Sequence, residues 1–314
     1  VLNCSVNQLT TLDVSKNIAL KNLVCYSNQL TALDVSKNSA LEQLTCYSNK
    51  LTTLDVTKNV ALTYLYCYSN QLTALDVSKN FALTNLDCYS NQLIALDVSK
   101  NTALKTLRCY SNQLTSLNVA QNIALTELNC YSNKLTSFDV SKSIVLTKLY
   151  CYSNQLTVLD VSKNIALIEL YCYSNQLTAL DVSKNTVLKY IDCSSNQLTS
   201  LNLQNENNSN FSTYKFTNNP NLICIQVDSD YYSNAIWKTY KDAFATYSKD
   251  CSQTLIPDVN FENELIDYGF DSGTPDGKVL TANIATVKYL NFNKSSISDL
   301  TGIEDFTELE ELII

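Results

Sequence analysis

Cysteine is the residue type whose spacing first indicates chemistry in this chain. Ten of the 12 cysteines recur every 21 residues, from Cys4 to Cys193. Such a file of thiols could hold soft metal ions or carry out redox chemistry. However, the chain has no C-x-x-C pair, and thiols stacked in register point the same way, which is poor geometry for disulfides between neighbours. We therefore expect ten reduced, buried thiols that pack as small apolar groups, with no metal and no cofactor.

Aspartate forms a second periodic set, in the L-D-V segment of nearly every repeat. Stacked carboxylates suit calcium binding or paired acid–base chemistry. A lysine follows each aspartate three residues later, and where Asn118 replaces the aspartate, Gln121 replaces the lysine. Because charge and countercharge vanish together, we interpret the pattern as a structural ion-pair ladder rather than a metal site.

The composition excludes most classes of enzyme and two classes of ligand. The chain has no histidine, the commonest general base and metal ligand. Its formal net charge is −8 and it shows no cluster of basic residues, so nucleic acid is not an expected partner. No stretch of about 20 apolar residues could span a membrane. We therefore expect a non-catalytic protein.

Tyrosine follows the cysteine in most repeats, at a position that strand parity directs outward. The neighbouring outward position varies between repeats. A row of rings could simply shield and stabilise the sheet through offset aromatic pairs. Alternatively, the regular and varied rows together could form a binding stripe for a protein or a glycan. The candidate binding residues on this stripe are Tyr66, Tyr68, Tyr89, Arg108, Tyr110, Tyr131, Tyr150, Tyr152, Tyr171 and Tyr173.

The element that must position these residues is a 21-residue turn. Each turn contains two L-x-[C/V] stretches with period-two alternation, which predict two short parallel strands per turn with the apolar residues inward. Ten such turns over residues 1–203 predict a mainly β solenoid. Asparagine recurs at the ninth position of every turn, where we expect it to bond the buried carbonyl groups of a corner.

The repeat L-x-x-L-x-C-x-x-N-x-L-T-x-L-D-V-S-x-N resembles the 21-residue, cysteine-ladder class of leucine-rich repeats found in bacterial internalin-type surface proteins. This resemblance implies a leucine-rich-repeat fold, export to the cell surface or secretion into the extracellular space, and adhesion or other binding without catalysis. It names no ligand.

The period fails after Leu203, and two further segments follow. Residues 204–253 are predicted to cap the solenoid, and an exported cap with two off-register cysteines indicates a disulfide between Cys224 and Cys251. Residues 254–314 are predicted to form a helical N-terminal cap and the first strands of a second leucine-rich-repeat module. Uncovered turns at Val1 and Ile314 leave an alternative function open, a structural filament that grows by end-to-end self-association.

Overall fold

The structure is a computed structural model that describes residues 1–229, 235–243, 245–293 and 295–314. A parallel sheet of eleven strands runs along it. Its strands are β1 (Leu2–Asn3), β2 (Asn22–Val24), β3 (Gln43–Thr45), β4 (Tyr64–Tyr66), β5 (Asn85–Asp87), β6 (Thr106–Arg108), β7 (Glu127–Asn129), β8 (Lys148–Tyr150), β9 (Glu169–Tyr171), β11 (Tyr190–Asp192) and β13 (Thr213–Lys215). The expected mainly β solenoid is confirmed.

The turns stack in register around one apolar core. Each strand pairs with the strand 21 residues further on, as Leu107 does with Leu128. The leucines and the cysteine of a turn point inward, and Leu104, Leu107 and Cys109 are completely buried. Because one turn buries its apolar side chains only against the turns on either side, the fold is stable as a stack rather than as a single repeat.

Two asparagine ladders hold the corners. At the ninth position, the Asn112 amide donates to the carbonyl oxygens of Cys88 (3.1 Å), Cys109 (3.0 Å) and Tyr110 (3.3 Å), while its Oδ1 accepts from the Leu93 N–H (3.0 Å). At the nineteenth position, the Asn101 amide donates to Val77 and Asn80 carbonyls of the preceding turn. The expected corner role of asparagine is confirmed.

The second side of the solenoid differs in detail from the expectation of two strands per turn. There the chain forms hydrogen-bonded strands only near the C-terminal end, in a four-stranded parallel sheet. Its strands are β10 (Ala179–Asp181), β12 (Ser200–Asn202), β14 (Cys224–Gln226) and β15 (Thr246–Ser248). In earlier turns the L-D-V segment keeps its leucine and valine inward, as Leu96 and Val98 show, without strand pairing.

The repeat continues past Leu203 for one more turn. β13 pairs with β11 at an offset of 23 residues, Phe216 takes the place of the ladder cysteine, and Asn219 takes the corner position. A 3₁₀ helix at Asn208–Asn210 accommodates the extra residues. Cys224 and Cys251 are joined by a disulfide, and Trp237 is completely buried against the end of the core.

The last sixty residues build a separate, smaller core around Ile256, Phe261 and Phe292. Asp258 caps helix α1 by accepting from the backbone N–H groups of Asn260 and Phe261. The elements are an antiparallel pair, β16 (Gln253–Leu255) and β17 (Lys278–Leu280), helices α1 (Val259–Asp267) and α2 (Thr281–Ile284), a 3₁₀ helix (Ile303–Asp305), and a parallel pair, β18 (Tyr289–Asn291) and β19 (Glu311–Ile313). None of the described helices is long and apolar enough to span a bilayer.

Candidate functional site

Eight tyrosines form a continuous stack along the outer side of the eleven-stranded sheet. Successive ring centroids lie 4.1–4.4 Å apart with interplanar angles of 9–15°. We call this set the tyrosine row: Tyr26, Tyr47, Tyr68, Tyr89, Tyr110, Tyr131, Tyr152 and Tyr173. Because each internal ring is covered on both faces by its neighbours, only ring edges and hydroxyl groups are available to a partner there.

Stacking also changes the acidity of the row. Partial burial, with further contributions from the neighbouring phenols, raises the pKa of Tyr47 to about 12. Partial burial likewise raises the pKa of Tyr110 to about 12. Desolvation disfavours the phenolate form, so these hydroxyl groups are neutral hydrogen-bonding groups at physiological pH.

Beside it lies a second set, which we call the variable row: Val24, Thr45, Tyr66, Asp87, Arg108, Asn129, Tyr150, Tyr171 and Asp192. Arg108 is its most connected member. Its guanidinium makes two bonds to Glu127 (2.7 and 3.1 Å) and one to Asp87 (3.2 Å). Burial raises the pKa of Asp87, although the nearby Arg108 opposes this shift.

A second polar cluster lies two turns further along. Lys148 forms a salt bridge with Glu169 (2.8 Å), and the Tyr150 hydroxyl donates to the same carboxylate. Tyr150 and Tyr171 meet at a tilt, with centroids 5.3 Å apart. These contacts fix the orientation of side chains that are themselves only half-buried.

Two recesses open on this sheet face. One, of about 760 Å³, includes Tyr131, Tyr150, Tyr152, Tyr171 and Tyr173 in its lining. The other, of about 400 Å³, includes Tyr66, Tyr68 and Arg108. The structure therefore distributes the candidate binding residues over two recesses, with Tyr89 and Tyr110 as the stack that connects them.

Sequence reasoning missed the residues that organise the charges on this face. Glu127, Lys148 and Glu169 occupy the outward position at the start of their strands and pair with side chains 19 or 21 residues away. Opposite charges at those separations were the available signal. Equally unforeseen is an exposed apolar ridge just after the second asparagine ladder, formed by Ile18, Val60, Phe81, Ile123, Ile144 and Ile165.

The ladder thiols are free and inert in character. All ten are unbonded, and all but Cys4 are buried. Burial raises the pKa of Cys25, Cys67 and Cys109 to about 12. Since the thiolate is the reactive form, burial suppresses both nucleophilic attack and metal binding by these groups.

The ion-pair ladder expected on the L-D-V side was wrong. Among the described residues, no salt bridge joins an aspartate of this file to its lysine. Instead the carboxylate accepts from the backbone N–H two residues on, as Asp97 does from Ser99 (2.8 Å). Asn118 makes the same bond to Ala120 (3.0 Å), which explains why it can replace aspartate. The parts of the chain that are described contain no cluster of three potential metal ligands.

The stacked turns and the buried thiol file define the class: the chain is a leucine-rich-repeat protein with a cysteine ladder. Among solved structures it resembles the functional domain of InlJ from Listeria monocytogenes, itself described as including a cysteine ladder. The two are 41% identical with a TM-score of 0.66, over 72% of this chain and 52% of that one. This chain thus spans about half of that structure.

More distant structures share the fold alone. A leucine-rich-repeat protein from Leptospira interrogans is 23% identical with a TM-score of 0.55, over 77% of this chain and 76% of that one. The internalin InlF from Listeria monocytogenes is 22% identical with a TM-score of 0.55, over 69% and 80%. No protein-family model and no curated protein matches the chain.

Proposed function

We propose that the chain is a non-catalytic binding module that works outside the cell, at a surface or after secretion, and that it attaches to a partner through its sheet face. The observation that carries this proposal is the division of labour within a turn. The inward residues and corner asparagines repeat almost without change, whereas the outward variable row changes in charge, size and polarity from turn to turn.

The pairing of charges on this face supports binding rather than catalysis. Arg108 is held by two carboxylates, and Lys148 and Tyr150 both bond Glu169. Groups committed to such networks are oriented, but they are not poised to transfer protons to a substrate. Aromatic and arginine side chains on a rigid frame are the residue types that dominate binding energy at interfaces.

The extracellular setting is supported by the disulfide between Cys224 and Cys251 and by the similarity to InlJ. A partner protein would pair its own polar groups with the charged centre of the face and pack on the variable-row tyrosines.

The test is an attachment assay with beads that carry the purified chain, applied to purified matrix proteins and to epithelial and endothelial cell layers. The triple variant Tyr66→Ser, Tyr150→Ser, Tyr171→Ser should reduce attachment at least tenfold while its circular dichroism spectrum stays unchanged, because these half-buried side chains lie outside the core. The matched control is Lys37→Ser, Lys79→Ser, Lys163→Ser on exposed positions of the other side. Equal attachment of the two variants, or no attachment by the unaltered chain, refutes the proposal.

A further inference from the structure

The tyrosine row ends at Tyr173 because the next turn places a serine at the same position. One face of the Tyr173 ring packs on Tyr152, with centroids 4.3 Å apart. On the other side the corresponding residues are Ser194 and then Thr217, which the bond from the Ser195 N–H to the Thr217 carbonyl brings into register. The gap beyond Tyr173 is therefore about 10 Å long, twice the spacing of neighbouring strands, and has room for one six-membered ring.

This gap opens into the recess of about 760 Å³, whose polar lining includes Asp192, Ser194 and Lys215. Ser174, next to Tyr173, is exposed, whereas the serines that follow the other tyrosines of the row are half-buried. The Tyr173 face is thus the one internal-sheet aromatic surface at this end that the stack leaves uncovered and that solvent reaches from the side.

The lining selects the chemistry of the ligand. Asp192 accepts from the backbone N–H and the hydroxyl of Ser194 (2.9 and 2.6 Å), so a carboxylate and a hydroxyl are fixed at the floor of the gap. Lys215, on the adjacent strand, is exposed. Burying these groups under an aromatic side chain would strip them of water without replacing its hydrogen bonds, at a cost for each group.

A sugar ring satisfies both halves of the gap. The C–H groups on one face of a pyranose carry partial positive charge and suit the negative face of an aromatic ring. Its peripheral hydroxyl groups both donate and accept, which matches a carboxylate, an ammonium group and several serine and tyrosine hydroxyls. We propose that the gap beyond Tyr173 is a carbohydrate subsite in which one pyranose ring continues the tyrosine stack. This inference deepens the proposed function, on which it rests, by naming a ligand class for one end of the sheet face.

The test uses saturation-transfer NMR and calorimetry with tetrasaccharides of glucose, galactose, mannose and N-acetylglucosamine. At least one should bind the unaltered chain, and Tyr173→Ser should weaken that binding at least tenfold. Ser194→Tyr should abolish it by filling the gap with a ninth ring. This substitution preserves the fold, since turn five already combines an aspartate with a tyrosine two residues later, at Asp87 and Tyr89.

The matched control lies at the other end of the row, where Ser5 leaves the outer face of Tyr26 without a ring. Ser5→Tyr should not affect binding. The inference is overturned if none of the saccharides binds, or if Ser5→Tyr rather than Ser194→Tyr blocks the interaction. In either case, bead attachment that still depends on the variable-row tyrosines leaves the proposed function standing. Loss of attachment in all variants alike refutes that function instead.

Discussion

Replacing one corner asparagine tests whether hydrogen bonds, rather than apolar contacts alone, hold the turns together. In Asn112→Ala the three carbonyl oxygens that Asn112 bonds each keep another donor: Asn91 for Cys88, Asn133 for Cys109 and the Ser90 N–H for Tyr110. The Leu93 N–H, in contrast, is buried and loses the acceptor it uses.

The expected cost follows from this inventory. One orphaned buried donor costs about 1–3 kcal/mol, and each replaceable bond contributes roughly 0.5–1 kcal/mol. We therefore expect Asn112→Ala to lower the free energy of unfolding by about 2–4 kcal/mol. Asn112→Asp should cost more, because it keeps the acceptor for Leu93 but sets a carboxylate against three carbonyl oxygens in a buried site.

Thermal unfolding followed by circular dichroism measures the difference. A loss of this size shifts the midpoint by roughly 5–10 °C. The control is Gln113→Ala, one residue further on, whose side chain is exposed and whose loss should leave the midpoint within about 1 °C. Equal midpoints for Asn112→Ala and Gln113→Ala would show that the corner ladder contributes nothing to stability.

Three further predictions follow from the same turns. Thiol titration in denaturant without reductant should count ten free thiols of 12, whereas the native chain at pH 8 should react at Cys25, Cys67 and Cys109 only after unfolding, because burial raises the pKa of each to about 12; fast native labelling would contradict this. Ser143→Asn should raise the melting temperature, because Ser143 reaches only the Asn122 carbonyl, at 3.5 Å, where the other turns place two amide bonds; an unchanged or lower midpoint would argue against a gain from completing the ladder. Stability should fall as the pH rises from 10 towards 12, because the folded-state pKa of Tyr47 and Tyr110 is raised to about 12 while the unfolded chain ionises near the ordinary value of 10.0; denaturation midpoints that do not move over this range would contradict it.

Repetition explains why so much of the fold could be predicted. A residue type that recurs at one position in ten turns reports an environment that also recurs, so the buried cysteines and corner asparagines follow from sequence alone. The eleventh turn escaped notice because it begins after two extra residues and replaces the cysteine with Phe216. In retrospect, the F-x-x-N spacing from Phe216 to Asn219 matches the C-x-x-N of the other turns.

The site was less predictable, because its features depend on which turns are neighbours. Outward orientation of the tyrosines follows from strand parity, but the near-parallel stack that covers their faces depends on side-chain angles. The bonds of Arg108 to Asp87 and Glu127 join three successive turns. The second-side strands likewise depend on context: the L-D-V sequence is similar throughout, and pairing appears where β14 extends the sheet from β12.

The bonding pattern of the corner asparagines also bears on how such a chain changes over generations. Each ninth-position asparagine bonds its own turn and the preceding one, and every turn offers the same groups to the next, as Asn112 and Asn133 illustrate. A duplicated or deleted stretch of 21 codons therefore changes the length of the rod by about 4.8 Å and leaves no hydrogen bond unmatched. Near-identical repeats also favour unequal recombination. Length can thus drift by whole turns while the outward positions diversify one residue at a time, so the reach of the protein and its recognition pattern can evolve separately.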